Sequence, residues 1–241
     1  MANLTPAPVN PVDASGQAMA TINGTTMSFE LAAQGLLAGA PHAAHIHFGA
    51  DARNMCPTAD DNNGDPVAAA GDFPAETMPE SHFTTTEGDP AYGAIVVSLT
   101  NSGDTSADMS ALAVERFGTG DNIKYSRGDV QVTQEVADAI LAGKGVVVVH
   151  GVDYDEDGTY SAADRGASEL MPALPGEATD PAICGVLNAS QMGGMPAGGV
   201  ETGAGSTTGV ENVGLIGAGV GAVAAAGGVA LYVRRRSAAS N

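Results

Sequence analysis

The chain has 241 residues, with 33 Gly, 13 Pro, two Cys, no Trp, and nine Lys plus Arg against 28 Asp plus Glu. Three of the basic residues are Arg234, Arg235 and Arg236 at the end, so the chain before them holds six basic residues against all 28 acidic ones, a net of −22. A surface that negative repels nucleic acid and excludes it as a partner, and the length allows one substantial domain with a tail or two small domains.

In chain order, the opening "MANLTPAPVNPVDASG" has no secretory leader. An outward-facing domain needs one, so a trimmed leader or a misplaced start is expected. "AMATIN" and "TMSFELAAQ" alternate apolar and polar residues on either side of Gly24-Thr25, the pattern of a hairpin. "HAAHIHFGADARNMC" follows, with His42, His45 and His47 in an apolar frame and Cys56 at its end; His82 comes later, in "ESHFTTTEG". "YGAIVVSLT" and "DVQVT" read as further short strands. "TQEVADAILAGKG" predicts a helix, with Val136, Ile140 and Leu141 on one face and Gly143 at its end. "GVVVVHGV" reads as a buried strand ending in His150, and "ICGVLNA" as a last strand carrying Cys184. Short strands, polar loops and one small helix predict an all-β fold, an antiparallel Greek-key sandwich over residues 1–190.

The remainder divides into three. Residues 191–212, "QMGGMPAGGVETGAGSTTGVEN", have the composition of a flexible stalk. Residues 213–233 are 21 uncharged residues, long enough to span about 30 Å as a helix. A buried soluble helix is the other reading, but its six glycines weaken it in water. A transmembrane helix is therefore expected, with Gly217 and Gly221 as a pairing face and the basic tail 234–241 held in the cytoplasm. Residues 1–190 then lie on the cell surface. The order of stalk, apolar span and arginines is similar to a Gram-positive cell-wall sorting signal. Thr202-Gly203 supplies its cleavage pair but the usual Leu-Pro is missing, so a permanent membrane anchor is the favoured expectation.

Two constellations carry chemistry. On a strand His45 and His47 share a face, roughly 6–7 Å apart, close enough to chelate one ion. Imidazole nitrogen suits borderline transition metals, and His150, if its strand lies alongside, adds a third ligand. Burying three imidazoles without partners is costly, which favours a shared ion over three unrelated core residues. "DYDEDGTYSAAD" at 153–164 sets Asp153, Asp155 and Asp157 around a glycine turn in the rhythm of a calcium loop. It ends in Asp where such loops carry Glu, so an acidic hairpin turn is the favoured reading; "DDNNGD" at 60–65 is weaker still. Cys56 and Cys184 read as a disulfide in an exported chain and as buried thiols in a cytosolic one.

"HAAHIH" with its following cysteine, "VVVVHGVD" and "PAICGVL" together resemble copper/zinc superoxide dismutases. They resemble the chordin-type (CHRD) domain more closely, over most of residues 15–190. The resemblance implies a Cys56–Cys184 disulfide, copper ligands at His45, His47 and His150, and a hydrogen-bonding role for His42. It also implies His82 as a fourth candidate ligand. It departs from the dismutases in lacking their zinc histidines and in holding "TDPAI" where they place a guiding arginine. Three functions compete: a copper-only redox enzyme, a non-catalytic copper-binding surface protein, and an interaction module without metal. A cell-wall or protein partner fits the last two.

Overall fold

The structure is a computed structural model that describes residues 1–8, 10, 12–62 and 83–188. His82, Asn63 to Asp65 of the weaker acidic motif, the stalk, the apolar 213–233 segment and the basic tail lie outside the described residues. Among the described residues no helix is long and apolar enough to cross a membrane.

Among the described residues ten strands form: β1 (Ala2–Pro6), β2 (Ser15–Asn23), β3 (Thr26–Gln34), β4 (Pro41–His42), β5 (Ala44–Phe48), β6 (Ala94–Ser98), β7 (Gly118–Thr119), β8 (Asn122–Gln131), β9 (Val146–His150) and β10 (Pro181–Val186). Eight of them make one antiparallel sheet in the order β6-β5-β9-β10-β1-β2-β3-β8, and β4 pairs with β7. The all-β antiparallel expectation holds, with hydrogen bonding running through all eight strands rather than through two separate sheets.

The sheet curls because its inward residues must share one core. Met27, Phe29 and Leu31 of β3 alternate inward, and they join Leu4 of β1, Ile46 of β5, Val97 of β6, Val147 and Val149 of β9 and Ile183 of β10 in one buried cluster. Burial of each such side chain stabilises by about 1.5–3 kcal/mol. The sheet's two ends come close enough to be bridged by side chains. Tyr125 Oη on β8 donates to the Leu99 carbonyl just past β6 at 2.7 Å, and Arg127 Nη1 donates to Thr100 Oγ1 at 3.1 Å.

Strand β9 runs through four valines before His150 because both of its faces are covered. Val147 and Val149 face the main core, whereas Val146 and Val148 face outward into a second cluster with Tyr92 and Cys184. Over this outer face lies α1 (Thr85–Tyr92). The Cys56–Cys184 disulfide ties the preceding loop to β10, with Cα atoms 5.8 Å apart.

The expectation of a single short helix is corrected. Helix α3 (Gln134–Leu141) forms as expected, its N-cap Thr133 accepting from Val136 N. It is accompanied by α1 and by single turns α2 (Ala107–Ser110), α4 (Ala162–Arg165) and α5 (Gly176–Thr179). Helix α1 starts from a capping box in which Thr84 Oγ1 accepts from Glu87 N and Thr84 N donates to Glu87 Oε2. Gly88 leaves room for the Tyr92 ring to fold back across the helix, where a Cβ would meet that ring at 2.2 Å.

Candidate metal centre

The β5 sequence "AHIHF" alternates, so Ala44 and Ile46 enter the main core while His45 and His47 point to the outer face. Strand β9 lies antiparallel beside it with His45 opposite Val148 and His47 opposite Val146. His150, two residues beyond Val148, is therefore the diagonal neighbour of His45 on the same face. The ring centroids stand 5.0 Å apart for His45 and His150, 5.8 Å for His45 and His47, and 6.0 Å for His47 and His150. One ligand atom from each lies within 4.8 Å of the others. All three are buried, at 2 %, 0 % and 2 % exposure for His45, His47 and His150.

Each ring has one nitrogen tied to a backbone carbonyl. His45 Nε2 donates to Ala111 O at 2.8 Å, His47 Nδ1 to Gly93 O at 2.8 Å, and His150 Nδ1 to Thr179 O at 2.7 Å. A carbonyl only accepts, so each bond fixes where the proton sits and leaves the other nitrogen with a free lone pair. Those other nitrogens, His45 Nδ1, His47 Nε2 and His150 Nε2, are buried and have no hydrogen-bond partner. Burial holds the rings neutral: it takes His47 down to about 3 and His150 to about 4, and His45 well below its usual 6.5. The cluster is thus three neutral imidazoles with convergent, unused lone pairs, each braced from behind, as metal-ligating histidines are. The residues fit a transition ion of the nitrogen-preferring kind, which would be held at about 2.0–2.1 Å per nitrogen.

The braces come from the covering segments. Gly93 ends α1 at φ +86°, and a Cβ there would meet Gly49 N at 2.4 Å, so glycine is what lets this carbonyl reach His47. Tyr92 packs edge-on to His47 with centroids 4.5 Å apart, and Phe117 packs against His45 at 5.5 Å. Tyr92 Oη donates to Thr85 O at 2.6 Å, and Thr85 Oγ1 to Thr179 O at 2.6 Å.

His42 stays outside this group. Its Nε2 lies 3.1 Å from Leu37 O, and its Nδ1 lies 3.0 Å from Tyr160 Oη and 3.2 Å from His150 O. Burial lowers its pKa, and its two nitrogens are shared among the Leu37 and His150 carbonyls and the Tyr160 hydroxyl. This is the hydrogen-bonding role expected for it. Gly151, at φ +113°, gives Tyr160 its place, since a Cβ there would sit 2.0 Å from Tyr160 Oη.

The acidic loop folds as a hydrogen-bonded turn. Asp153 Oδ2 accepts from Gly158 N at 2.9 Å, Asp155 Oδ1 from Asp157 N at 3.1 Å, and Asp157 Oδ1 from Thr159 N at 2.8 Å. Carboxylate oxygens of Asp153, Asp155 and Glu177 converge within 4.8 Å, whereas Asp157 is not one of that set. Glu177 carries no sequence signal; α5 brings it there, and it accepts from Tyr154 N and Ser161 N. Sequence reasoning also missed the three bracing carbonyls, which any residue type supplies.

A curled antiparallel sheet, with a loop tied to it by a disulfide and three buried imidazoles on its outer face, defines a β-rich module built for an oxidising compartment. A family model for the CHRD domain matches residues 1–157, well over half of the chain, and the chain belongs to that family. CHRD domains are extracellular, in keeping with the disulfide. The match ends before β10, which nonetheless pairs with β1 and β9 and carries Cys184. No curated protein matches the chain.

Proposed function

We propose that this chain is a cell-surface CHRD protein that binds copper through His45, His47 and His150 without efficient catalysis. A transmembrane anchor at 213–233 holds it there, and the curled sheet is read as a Greek-key sandwich whose two halves are joined. The observation that carries the copper reading is the set of three buried ring nitrogens without partners, each on a ring whose other nitrogen is bonded. An unsatisfied buried polar atom costs about 1–3 kcal/mol, so three converging on one point is an arrangement that a shared ion relieves. A purely structural role for the histidines leaves that cost in place. Copper, when bound, supplies one-electron chemistry; the residues hold the rings in one tautomer and keep water from the face.

Elemental analysis and copper titration of the purified full-length chain test this. About one copper per chain is expected, lost in a His45→Ala/His47→Ala variant that keeps its disulfide. A wild-type chain that takes up no copper refutes the reading.

A further inference from the structure

Resting on the copper reading above, we infer that the three-imidazole centre is selective for the univalent ion, binding Cu(I) far more tightly than Cu(II) or Zn(II).

The first ground is charge. The three donors are imidazoles, and among the described residues their hydrogen-bond partners are backbone carbonyls and the Thr85 hydroxyl, while their ring neighbours are one another, Tyr92 and Phe117, none of them anionic. Asp180, adjoining the Thr179 carbonyl that braces His150, is already engaged by Arg165 and by the Tyr154 hydroxyl. The Tyr92 hydroxyl donates to Thr85 O, and burial keeps the phenol protonated. Both cysteines are in the disulfide, so no thiolate is at hand. The described residues therefore leave a bound ion its full charge.

The second ground is burial. Val146, Val148, Tyr92 and Phe117 wall the face, and His47 is 0 % exposed. The cost of moving an ion from water into such surroundings rises with the square of its charge, so a divalent ion costs about four times as much as a univalent one. The third is donor number. Cu(II) prefers a tetragonal set and Zn(II) a tetrahedral one, each with four or more ligands, whereas among the described residues three histidines cluster here. A filled d shell with a single charge is content with three.

The test uses the full-length chain without oxygen. Cu(I) is titrated against bicinchoninate as competitor, and Cu(II) and Zn(II) separately against chelators of known affinity. Cu(I) is expected to bind at least about 1000-fold more tightly than Cu(II), which raises the potential of bound copper by about 180 mV over the free couple at 59 mV per tenfold. Zn(II) is expected to bind at least as weakly as Cu(II). X-ray absorption of the Cu(I) form should report three nitrogen neighbours, and a His47→Gln variant should lose one. Cu(II) or Zn(II) held as tightly as Cu(I) overturns the selectivity and leaves copper binding standing. Failure of all three ions to bind overturns both.

Discussion

The Nδ1 of His150 stands 2.7 Å from the carbonyl oxygen of Thr179, the residue that precedes Asp180 and the start of β10. The bond settles the tautomer of His150 and couples the ring to a buried ion pair. Arg165 Nε donates to Asp180 Oδ2 at 2.7 Å and Arg165 Nη2 to Asp180 Oδ1 at 3.2 Å, with the two side chains 1 % and 0 % exposed. Tyr154 Oη adds a third donor to Asp180. The wall behind the imidazoles is thus fixed by charge-assisted bonds in a desolvated setting.

Removing one partner of that pair should be costly. Arg165→Met leaves Asp180 buried without its cation and is expected to destabilise the fold by about 3–5 kcal/mol, read from urea or thermal unfolding. Copper affinity should fall with it, because Thr179 loses its anchorage. A stability within about 0.5 kcal/mol of wild type, the range of an ordinary surface change, would contradict this.

The metal-free chain should lose stability as pH falls through the histidine range. Burial holds His47 at about 3 and His150 at about 4, against 6.5 for the ordinary group. Below pH 6.5 the unfolded chain takes up protons that the folded chain refuses. Stability therefore drops between pH 6.5 and about 4, by up to about 1.4 kcal/mol per pH unit for each ring, and is fully present above 6.5. Glu177 and Asp180, raised by burial, act in the opposite sense. The histidine share is accordingly the difference in slope between wild type and His150→Gln. Equal slopes would show that the ring is protonated in the folded chain.

The disulfide should matter to both stability and site. On the chain-entropy model, closing a loop this long stabilises by roughly 4–5 kcal/mol. Cys184 also packs with Tyr92, Val146 and Val148 on the face that carries the histidines. A Cys56→Ser/Cys184→Ser variant is expected to melt well below wild type and to bind copper more weakly. Unchanged melting in both variant and reduced wild type would refute it.

Legibility followed periodicity. The β2–β3 hairpin, β5, β9 and α3 all show in the sequence because their apolar residues alternate or recur at helical spacing. The shared face of His45 and His47 shows for the same reason. Strand β1 and the first half of β8 do not: in "NIKYSRG" only Ile123 is fully buried, and Tyr125 is partly so. Helix α1 was masked by Gly88 and Pro90, which read as breakers, although Thr84 and Glu87 at capping-box spacing were a usable sign. That His150 joins His45 and His47 depends on the β5–β9 pairing, a long-range choice which no local pattern encodes; the buried run before His150 supports it and the family resemblance implies it. The acidic loop reads as a turn from its own residues, but Glu177 reaches it from an element more than a dozen residues away.

Small anions should reach this centre slowly. The chain carries a net charge of −19, and the three free ring nitrogens lie buried behind Tyr92 and Phe117. At the start of β10, Pro181, Ala182 and Ile183 carry no charge, and Ala182 and Ile183 are fully buried. Electrostatic steering changes on-rates by about 10–10³-fold, and here its sign opposes an anion such as superoxide. Copper-loaded protein is therefore expected to dismutate superoxide slowly, and the rate should rise with salt. Screening shortens the reach of the surface charge from about 10 Å at 0.1 M to about 3 Å at 1 M ionic strength, so repulsion is the first thing lost. Stopped-flow decay of superoxide across that range is the measurement. A fast reaction that salt slows would mean that a positive path to the imidazoles exists, and with it a redox enzyme rather than a copper-binding surface protein.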